Sequence, residues 1–234
     1  MSAASIRLYV PGPLAAGAEL ALSEAQSHYL ANVMRAGPGD TLRVFDGASG
    51  EWRASVAKVS RKAVVLTLTA QTRPQAPEPD AWLCFALLKR AKTDLVVEKA
   101  TELGAAVIQP VITARTNADH VNLDRLRAIA IEAAEQCERL AVPEIRPPVA
   151  LPKLIAHWPA RPLFVADERR TSALLGPAAE PSALLIGPEG GFTEAELEAI
   201  ARTPQVSRVS LGARILRAET AAIAGLALLL AAQP

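Results

Sequence analysis

The chain has 234 residues, of which 50% are hydrophobic and 21% are charged, with a formal net charge of +1. This balance excludes disordered and fibrous proteins and is typical of a globular protein with a sizeable core. Two cysteines and three scattered histidines are too few for a disulfide framework or a zinc cluster, so we expect no metal site.

The N-terminus MSAASIRLYV has no basic region followed by an apolar one, which argues against a secretory signal. The longest uncharged apolar stretch, Ala221 to Ala232, has 12 residues, whereas a bilayer span needs about 20. We therefore expect a cytoplasmic protein with no membrane partner.

Residues 5 to 70 carry the pattern of short β-strands around one helix. The expected strands are Ile6–Val10, Thr41–Phe45, Trp52–Val59 and Ala63–Thr69. The helix is expected over Glu24–Arg35, with Ser23 and Gln26 as a capping box and Gly37 beyond its end. The pattern predicts a small β-barrel domain over residues 1–72, and the proline-rich segment from Thr72 to Asp80 predicts a linker.

Residues 73–234 alternate between apolar strands and helices, which predicts an α/β domain with a parallel sheet covered on both faces. The expected strands are Trp82–Leu87, Ala106–Val111, Leu163–Ala166, Ala183–Ile186 and Val206–Ser210. The expected helices are Thr93–Leu103, Asp124–Leu140, Glu194–Arg202 and Ala218–Leu230. Ligands of such sheets bind outside the carboxyl ends of the strands.

The segment LLIGPEGGFTEAE, from Leu184 to Glu196, joins a buried strand to a helix through a glycine turn. Gly190 and Gly191 leave the backbone bare where a ligand could approach, and Thr193 with Glu196 forms a capping box. The carboxylate of Glu189 would oppose a phosphate, so a cationic or neutral polar ligand fits better.

Two common nucleotide-binding motifs are excluded. A P-loop requires a lysine after its glycines, and the last lysine of the chain is Lys153. A dinucleotide-binding fold requires a glycine-rich turn after its first strand, but here that strand runs into LLKRAK.

The segment LGARILRAETA, from Leu211 to Ala221, follows the last strand and places Arg214, Arg217 and Glu219 at a helix start. Cations there oppose the helix dipole, so local stability does not explain them and function is the better reason.

These two loops resemble those of the 16S ribosomal RNA uridine-N3 methyltransferase family, in the SPOUT class of knotted methyltransferases. Three further segments are similar to that family, in the same order: HYLANVMRAGPGD from His28, EKATELG from Glu98, and Arg127–Pro143 with EAAEQCERLAVP from Glu132. The resemblance implies a PUA-like RNA-binding β-barrel over residues 1–72 and a SPOUT domain with a deep trefoil knot over residues 73–234. It also implies a homodimer that acts on 16S rRNA, within an assembled small ribosomal subunit.

The resemblance further implies that the two loops hold S-adenosylmethionine. The implied cofactor residues are Ile186, Gly187, Pro188, Glu189, Gly190, Gly191, Leu211, Gly212, Ile215, Leu216 and Arg217. Uracil N3 must lose its proton before it can attack a methyl group, so catalysis must stabilise a uridinate. The candidate catalytic residues are Arg7, Arg214, Arg217 and Glu219, the last as a base or as the partner of an arginine. Two alternatives stay open: a non-catalytic RNA-binding dimer, and an α/β enzyme for a small phosphorylated metabolite.

Overall fold

The fold is given by a computed structural model that describes residues 6–60, 63–117, 120–167 and 172–231. These residues form two units. The first contains the described residues up to Pro77 together with Ala134–Ala141, and the second contains Glu78–Ala133 and the described residues from Val142 onward. The predicted domain boundary lies between residues 72 and 73, whereas the first unit continues to Pro77. The domain bounds themselves stay a prediction.

The first unit is built on a five-stranded sheet. Its elements are β1 (Arg7–Tyr9), β2 (Glu19–Ala21), α1 (Glu24–His28), β3 (Thr41–Phe45), β4 (Glu51–Val59) and β5 (Val64–Arg73). The strand order is β1-β3-β4-β5-β2, with β1 parallel to β3 and the remaining pairs antiparallel. Alternate apolar side chains of the strands pack with Leu30 into one core. The strand β2 was not predicted, and the predicted linker begins too early because Thr72 and Arg73 belong to β5.

The predicted helix Glu24–Arg35 is only partly correct. The capping box of Ser23 and Gln26 is present, but α1 ends at His28 and a π-helical turn follows over Tyr29–Val33. In this turn the N–H of Met34 donates to the carbonyl of Tyr29 at 2.9 Å, the wider bonding pattern of a π-helix.

The second unit contains the remaining elements. They are β6 (Ala81–Ala86), α2 (Arg90–Leu103), β7 (Val107–Ile112), α3 (Leu123–Gln136, whose last turn belongs to the first unit), β8 (Glu144–Ile145), β9 (Val149–Ala150), α4 (Leu151–Ala156), β10 (Leu163–Ala166), β11 (Ser182–Ile186), α5 (Glu194–Ala201), β12 (Val206–Val209) and α6 (Ala218–Leu230). The strand order is β12-β10-β11-β6-β7-β8, with β9 also paired to β7, and the pairings within the described chain are parallel. The predicted α/β class with a parallel sheet is confirmed, whereas β8, β9 and α4 were missed.

Both faces of the parallel sheet are buried. Along β6, Leu83 and Phe85 join the core that includes α2 and α6, while Cys84 between them joins the core that includes α4 and α5. Along β11, Leu184 and Leu185 divide between the same two cores. This alternation explains why each strand reads as a continuous apolar run. In the described part of the chain, no helix is long and apolar enough to cross a membrane.

The predicted helix Asp124–Leu140 ends early, at Gln136. The carbonyls of Ala134 and Arg139 both accept hydrogen bonds from the guanidinium of Arg7, at 2.7 and 2.6 Å. Glu138, between them, adopts a left-handed conformation with φ 61°, which a continuing α-helix does not allow. The segment after α3 is therefore shaped by bonds within the first unit rather than by its helical sequence pattern.

Candidate active site

A cavity of about 540 Å³ opens at the carboxyl ends of three neighbouring strands, β12, β10 and β11. Its size lies within the usual range for small-molecule sites, and its place is the one at which parallel sheets bind ligands. The segments after each strand supply most of the wall. The lining residues are Lys92, Ala166, Asp167, Ile186, Gly187, Pro188, Glu189, Gly191, Phe192, Leu197, Ser210, Leu211, Gly212, Arg214, Ile215, Leu216, Arg217, Ala218 and Ala221.

The glycine loop, Gly187–Thr193, forms one wall of the cavity. The N–H of Gly191 donates to the carbonyl of Pro188 at 2.9 Å, and Gly191 has a φ of 68° that favours glycine. A Cβ atom at Gly187 would lie 2.9 Å from the ring of Phe192, so a larger residue here would force this ring to shift. The predicted capping box of Thr193 and Glu196 is present and starts α5.

Gly190 is not among the lining residues. Its carbonyl accepts a hydrogen bond of 2.5 Å from Nη1 of Arg115, in the loop after β7. A Cβ atom at Gly190 would lie 3.3 Å from the Cδ atom of Arg115. The predicted contact of Gly190 with a ligand stays a prediction. In the structure, Gly190 contacts Arg115, whose side chain supports the glycine loop.

The arginine loop, Leu211–Arg217, forms the opposite wall. Gly212 has a φ of 116°, a conformation that favours glycine. Its N–H donates to Oγ of Ser210 at 3.2 Å. Arg214, Ile215 and Arg217 are exposed to the cavity and solvent. The two candidate catalytic arginines of this loop therefore border the same cavity.

Glu219 lies in the first turn of α6 with its side chain only 12% exposed. One of its oxygens, Oε1, lies 3.4 Å from Nζ of Lys92. The other, Oε2, is buried and has no hydrogen-bond partner among the described residues. Glu219 thus keeps an unused acceptor close to the cavity-lining residue Lys92.

Lys92 was missed by sequence reasoning. It forms a close ion pair with Glu189, and this hydrogen bond lowers the pKa of Glu189 and raises the pKa of Lys92. Three basic residues, Lys89, Arg90 and Lys92, stand close together in the segment LLKRAK. The pattern alone does not indicate which of them reaches the glycine loop.

Arg7 lies in the first unit, where it is 7% exposed. Its Nε donates to Oε2 of Glu51 at 2.8 Å, and its guanidinium lies 3.8 Å from the centre of the Phe45 ring. With two backbone carbonyls also bonded, this side chain is in a structural environment. Its predicted part in catalysis stays a prediction.

Comparison with known proteins identifies the domains. A family model described as an RNA methyltransferase domain matches residues 75–230, and one described as an RNA methyltransferase PUA domain matches residues 22–69. The ribosomal RNA small subunit methyltransferase E of Rickettsia conorii is 33% identical over 227 residues, 94% of this chain and 93% of that protein.

Two solved structures are similar over nearly the whole chain. A Legionella pneumophila protein in complex with bound S-adenosylmethionine has a TM-score of 0.88 and 32% identity, covering 98% of both chains. The ribosomal RNA small subunit methyltransferase E of Neisseria gonorrhoeae, bound to S-adenosylmethionine, has a TM-score of 0.86 and 28% identity, covering 97% of both. The chain therefore belongs to the family of RNA methyltransferases that comprises the ribosomal RNA small subunit methyltransferase E proteins, with a PUA domain before its methyltransferase domain.

Proposed function

We propose that this chain is an S-adenosylmethionine-dependent methyltransferase that methylates N3 of a uridine in 16S rRNA of the small ribosomal subunit. The observation that carries the proposal is the cavity between the glycine loop and the arginine loop, at the carboxyl ends of β10, β11 and β12. The family membership and the two relatives solved with S-adenosylmethionine support the same function.

The chemistry of the cavity wall fits this cofactor. Ile186, Leu211 and Leu216 provide apolar surface for an adenine ring, and the glycines of both loops leave backbone groups accessible. The carboxylate of Glu189 favours a cationic sulfonium and disfavours a phosphate. When bound, S-adenosylmethionine would supply an electrophilic methyl group.

The protein must stabilise the deprotonated base. Negative charge of a uridinate is shared between N3 and the two carbonyl oxygens of the ring. Arg214 and Arg217, which border the cavity with exposed side chains, would place positive charge beside those oxygens as the charge develops. They would also hold the base in one orientation, which raises the rate by alignment.

Glu219 is the proposed acceptor of the N3 proton or the residue that orients an arginine. Its oxygen Oε2 supports the first role, because it accepts no hydrogen bond from the described residues and keeps its acceptor capacity. Arg7 stays on the list of catalytic candidates, although its bonds to Glu51 and to two carbonyls leave little of its guanidinium for a substrate.

We further propose a trefoil knot in the second unit, in residues 73–234. The chain passes from β11 to the edge strand β12, beside β10, and then returns in α6 over β11 and β6.

We also propose a homodimer, and α6 supports this proposal. This helix has no charged residue after Glu219, and its apolar residues Ile223 and Leu228 are only partly buried, as is typical of a surface that another protein covers. We also propose that residues 1–72 bind the rRNA and that the reaction takes place in the cytoplasm.

One experiment tests the reaction directly. In a strain that lacks this protein, mass spectrometry of the 16S rRNA should show that one N3-methyluridine is missing. Adding the purified protein and S-adenosylmethionine to small subunits from this strain should restore the modification. An unmodified site after this addition contradicts the proposed reaction. Calorimetry with S-adenosylmethionine separates the proposed function from that of a purely RNA-binding protein, which would show no heat of binding.

A further inference from the structure

Lys92 is a cation in the first turn of α2, where helix electrostatics do not favour it. The first turn of a helix carries partial positive charge, and in α2 this turn has no acidic residue and no side-chain cap. Helix stability therefore does not explain Lys92. Its side chain is 28% exposed and forms part of the cavity wall.

The ammonium of Lys92 joins carboxylates from two other segments of the site. It forms an ion pair with Glu189 of the glycine loop, and it lies 3.4 Å from Oε1 of Glu219 in α6. Glu189 raises the pKa of Lys92, and Lys92 in turn lowers the pKa of Glu189, so both groups are charged at neutral pH. Lys92 is thus the counter-ion of two carboxylates at once.

The other charged groups around the cavity do not replace Lys92. Lys89 and Arg217 act on Glu189 as weaker, longer-range charges. Asp167 forms an ion pair with Arg208. Without Lys92, the carboxylate of Glu189 in the cavity wall and the neighbouring carboxylate of Glu219 would lose their nearest cation. Among the described residues, Arg214 and Arg217 would be the remaining cations that line the cavity.

We propose that Lys92 sets the relative affinity of the cavity for the cationic methyl donor and its neutral product. This inference rests on the proposed function. The sulfonium of S-adenosylmethionine carries a positive charge, whereas the thioether of S-adenosylhomocysteine does not, and apart from the transferred methyl group the two molecules present the same groups. A positive side chain that neutralises Glu189 and Glu219 limits the preference for the donor and so acts on specificity rather than on overall affinity.

Calorimetry of the full-length protein with each compound tests this role. In Lys92→Met, we expect the ratio of the two dissociation constants to change about tenfold in favour of S-adenosylmethionine. Lys92→Arg keeps the charge and should keep the ratio of the unmodified protein. Lys99→Met is the matched control, since Lys99 lies on the same helix, is 34% exposed and pairs with Glu98 and Glu102 without lining the cavity.

A second variant makes the test independent of the folding of Lys92→Met. Glu189→Gln keeps Lys92 and removes one carboxylate, so the ratio should change in the opposite direction, toward S-adenosylhomocysteine. The same ratio in folded Lys92→Met, Glu189→Gln and the unmodified protein would overturn the role of Lys92 and leave the proposed function intact. If the unmodified protein bound neither compound, the proposed function itself would be wrong.

Discussion

Arg115 donates a hydrogen bond of 2.5 Å to the carbonyl oxygen of Gly190. This bond fastens the glycine loop after β11 to the loop after β7. The backbone N–H of Ala114 adds a second connection, at 2.7 Å to Oε1 of Glu196. The wall of the cavity is therefore supported by the loop after β7, whose residues Ala114 and Arg115 do not line the cavity.

Replacing Arg115 should loosen this wall without altering the lining residues. We expect Arg115→Ala to weaken S-adenosylmethionine binding roughly three- to tenfold, since one charge-assisted hydrogen bond at an exposed site is lost. Calorimetry measures this change. Arg127→Ala is the control, because Arg127 is exposed and forms an ion pair with Asp124 on the same helix. Equal effects of the two substitutions would show that the glycine loop keeps its conformation without Arg115.

Replacing Arg217 should lower turnover rather than cofactor affinity. If its guanidinium stabilises the uridinate as it forms, Arg217→Ala reduces the rate at saturating RNA by roughly 10² to 10³. A higher pH should restore part of the rate, because solvent then supplies more of the deprotonated base. Arg214→Ala is measured beside it in single-turnover assays. A defect confined to the Michaelis constant for RNA, without rescue at high pH, would place the arginine on the phosphate backbone instead.

Glu51 should make the stability of the first unit sensitive to acid. Its carboxylate is 1% exposed and lies 2.8, 3.7 and 3.9 Å from Arg7, Arg43 and Arg73. Burial alone would raise the pKa of Glu51, but hydrogen bonds from Arg7 and Thr72, with the charge of Arg43, outweigh it and lower that pKa. The contribution to stability is therefore complete above the pKa of the unfolded chain and is lost as the pH falls through the lower, folded value.

We expect Glu51→Gln to lower the free energy of unfolding by about 3 kcal/mol at neutral pH and to flatten its decline in acid. Arg7→Ala leaves the buried carboxylate without its nearest partner and should destabilise the protein at least as much. Calorimetric melting over a pH series measures both changes. Glu198→Gln, in an exposed pair with Arg202, should leave the melting temperature nearly unchanged. A melting temperature of Arg7→Ala equal to that of the unmodified protein would contradict a structural role for Arg7.

The two cysteines should differ in reactivity. Cys84 is fully buried in β6, and burial raises the pKa of its thiol to about 12, whereas Cys137 is exposed. Because the thiolate is the reactive form, a thiol reagent at mildly alkaline pH should modify Cys137 in the folded protein and both cysteines only after denaturation. Rapid modification of Cys84 in the native state would show that β6 opens locally.

The two loops of the candidate site could be located from the sequence because each follows a strand that is easily recognised by its run of apolar residues. The glycines and charged residues after these runs mark the loops. The role of Lys92 could not be found this way, since its partners Glu189 and Glu219 lie far away along the chain. The short strands β8 and β9 have two residues each, too few to show an alternating pattern.

The end of α3 shows a different limit. The residues up to Leu140 favour a helix by their periodicity, but a helix would leave the guanidinium of Arg7 without the carbonyl of Arg139. A bond between residues so distant in sequence overrides the local preference. The predicted helix Glu24–Arg35 is correct only as far as His28, where a π-helical turn follows that contains the buried core residue Leu30.

Because Ala134–Ala141 belongs to the first unit, that unit cannot be completed in the order in which the chain is synthesised. When the first 77 residues have left the ribosome, Arg7 still lacks both of its carbonyl acceptors, and Arg43 lacks Glu138. The first unit can therefore be completed only after all of Glu78–Ala133 and the residues up to Ala141 have been made, although domains generally fold from the N-terminus during synthesis. A nascent chain stalled before Ala134 would leave two of the hydrogen bonds of Arg7 without their acceptors.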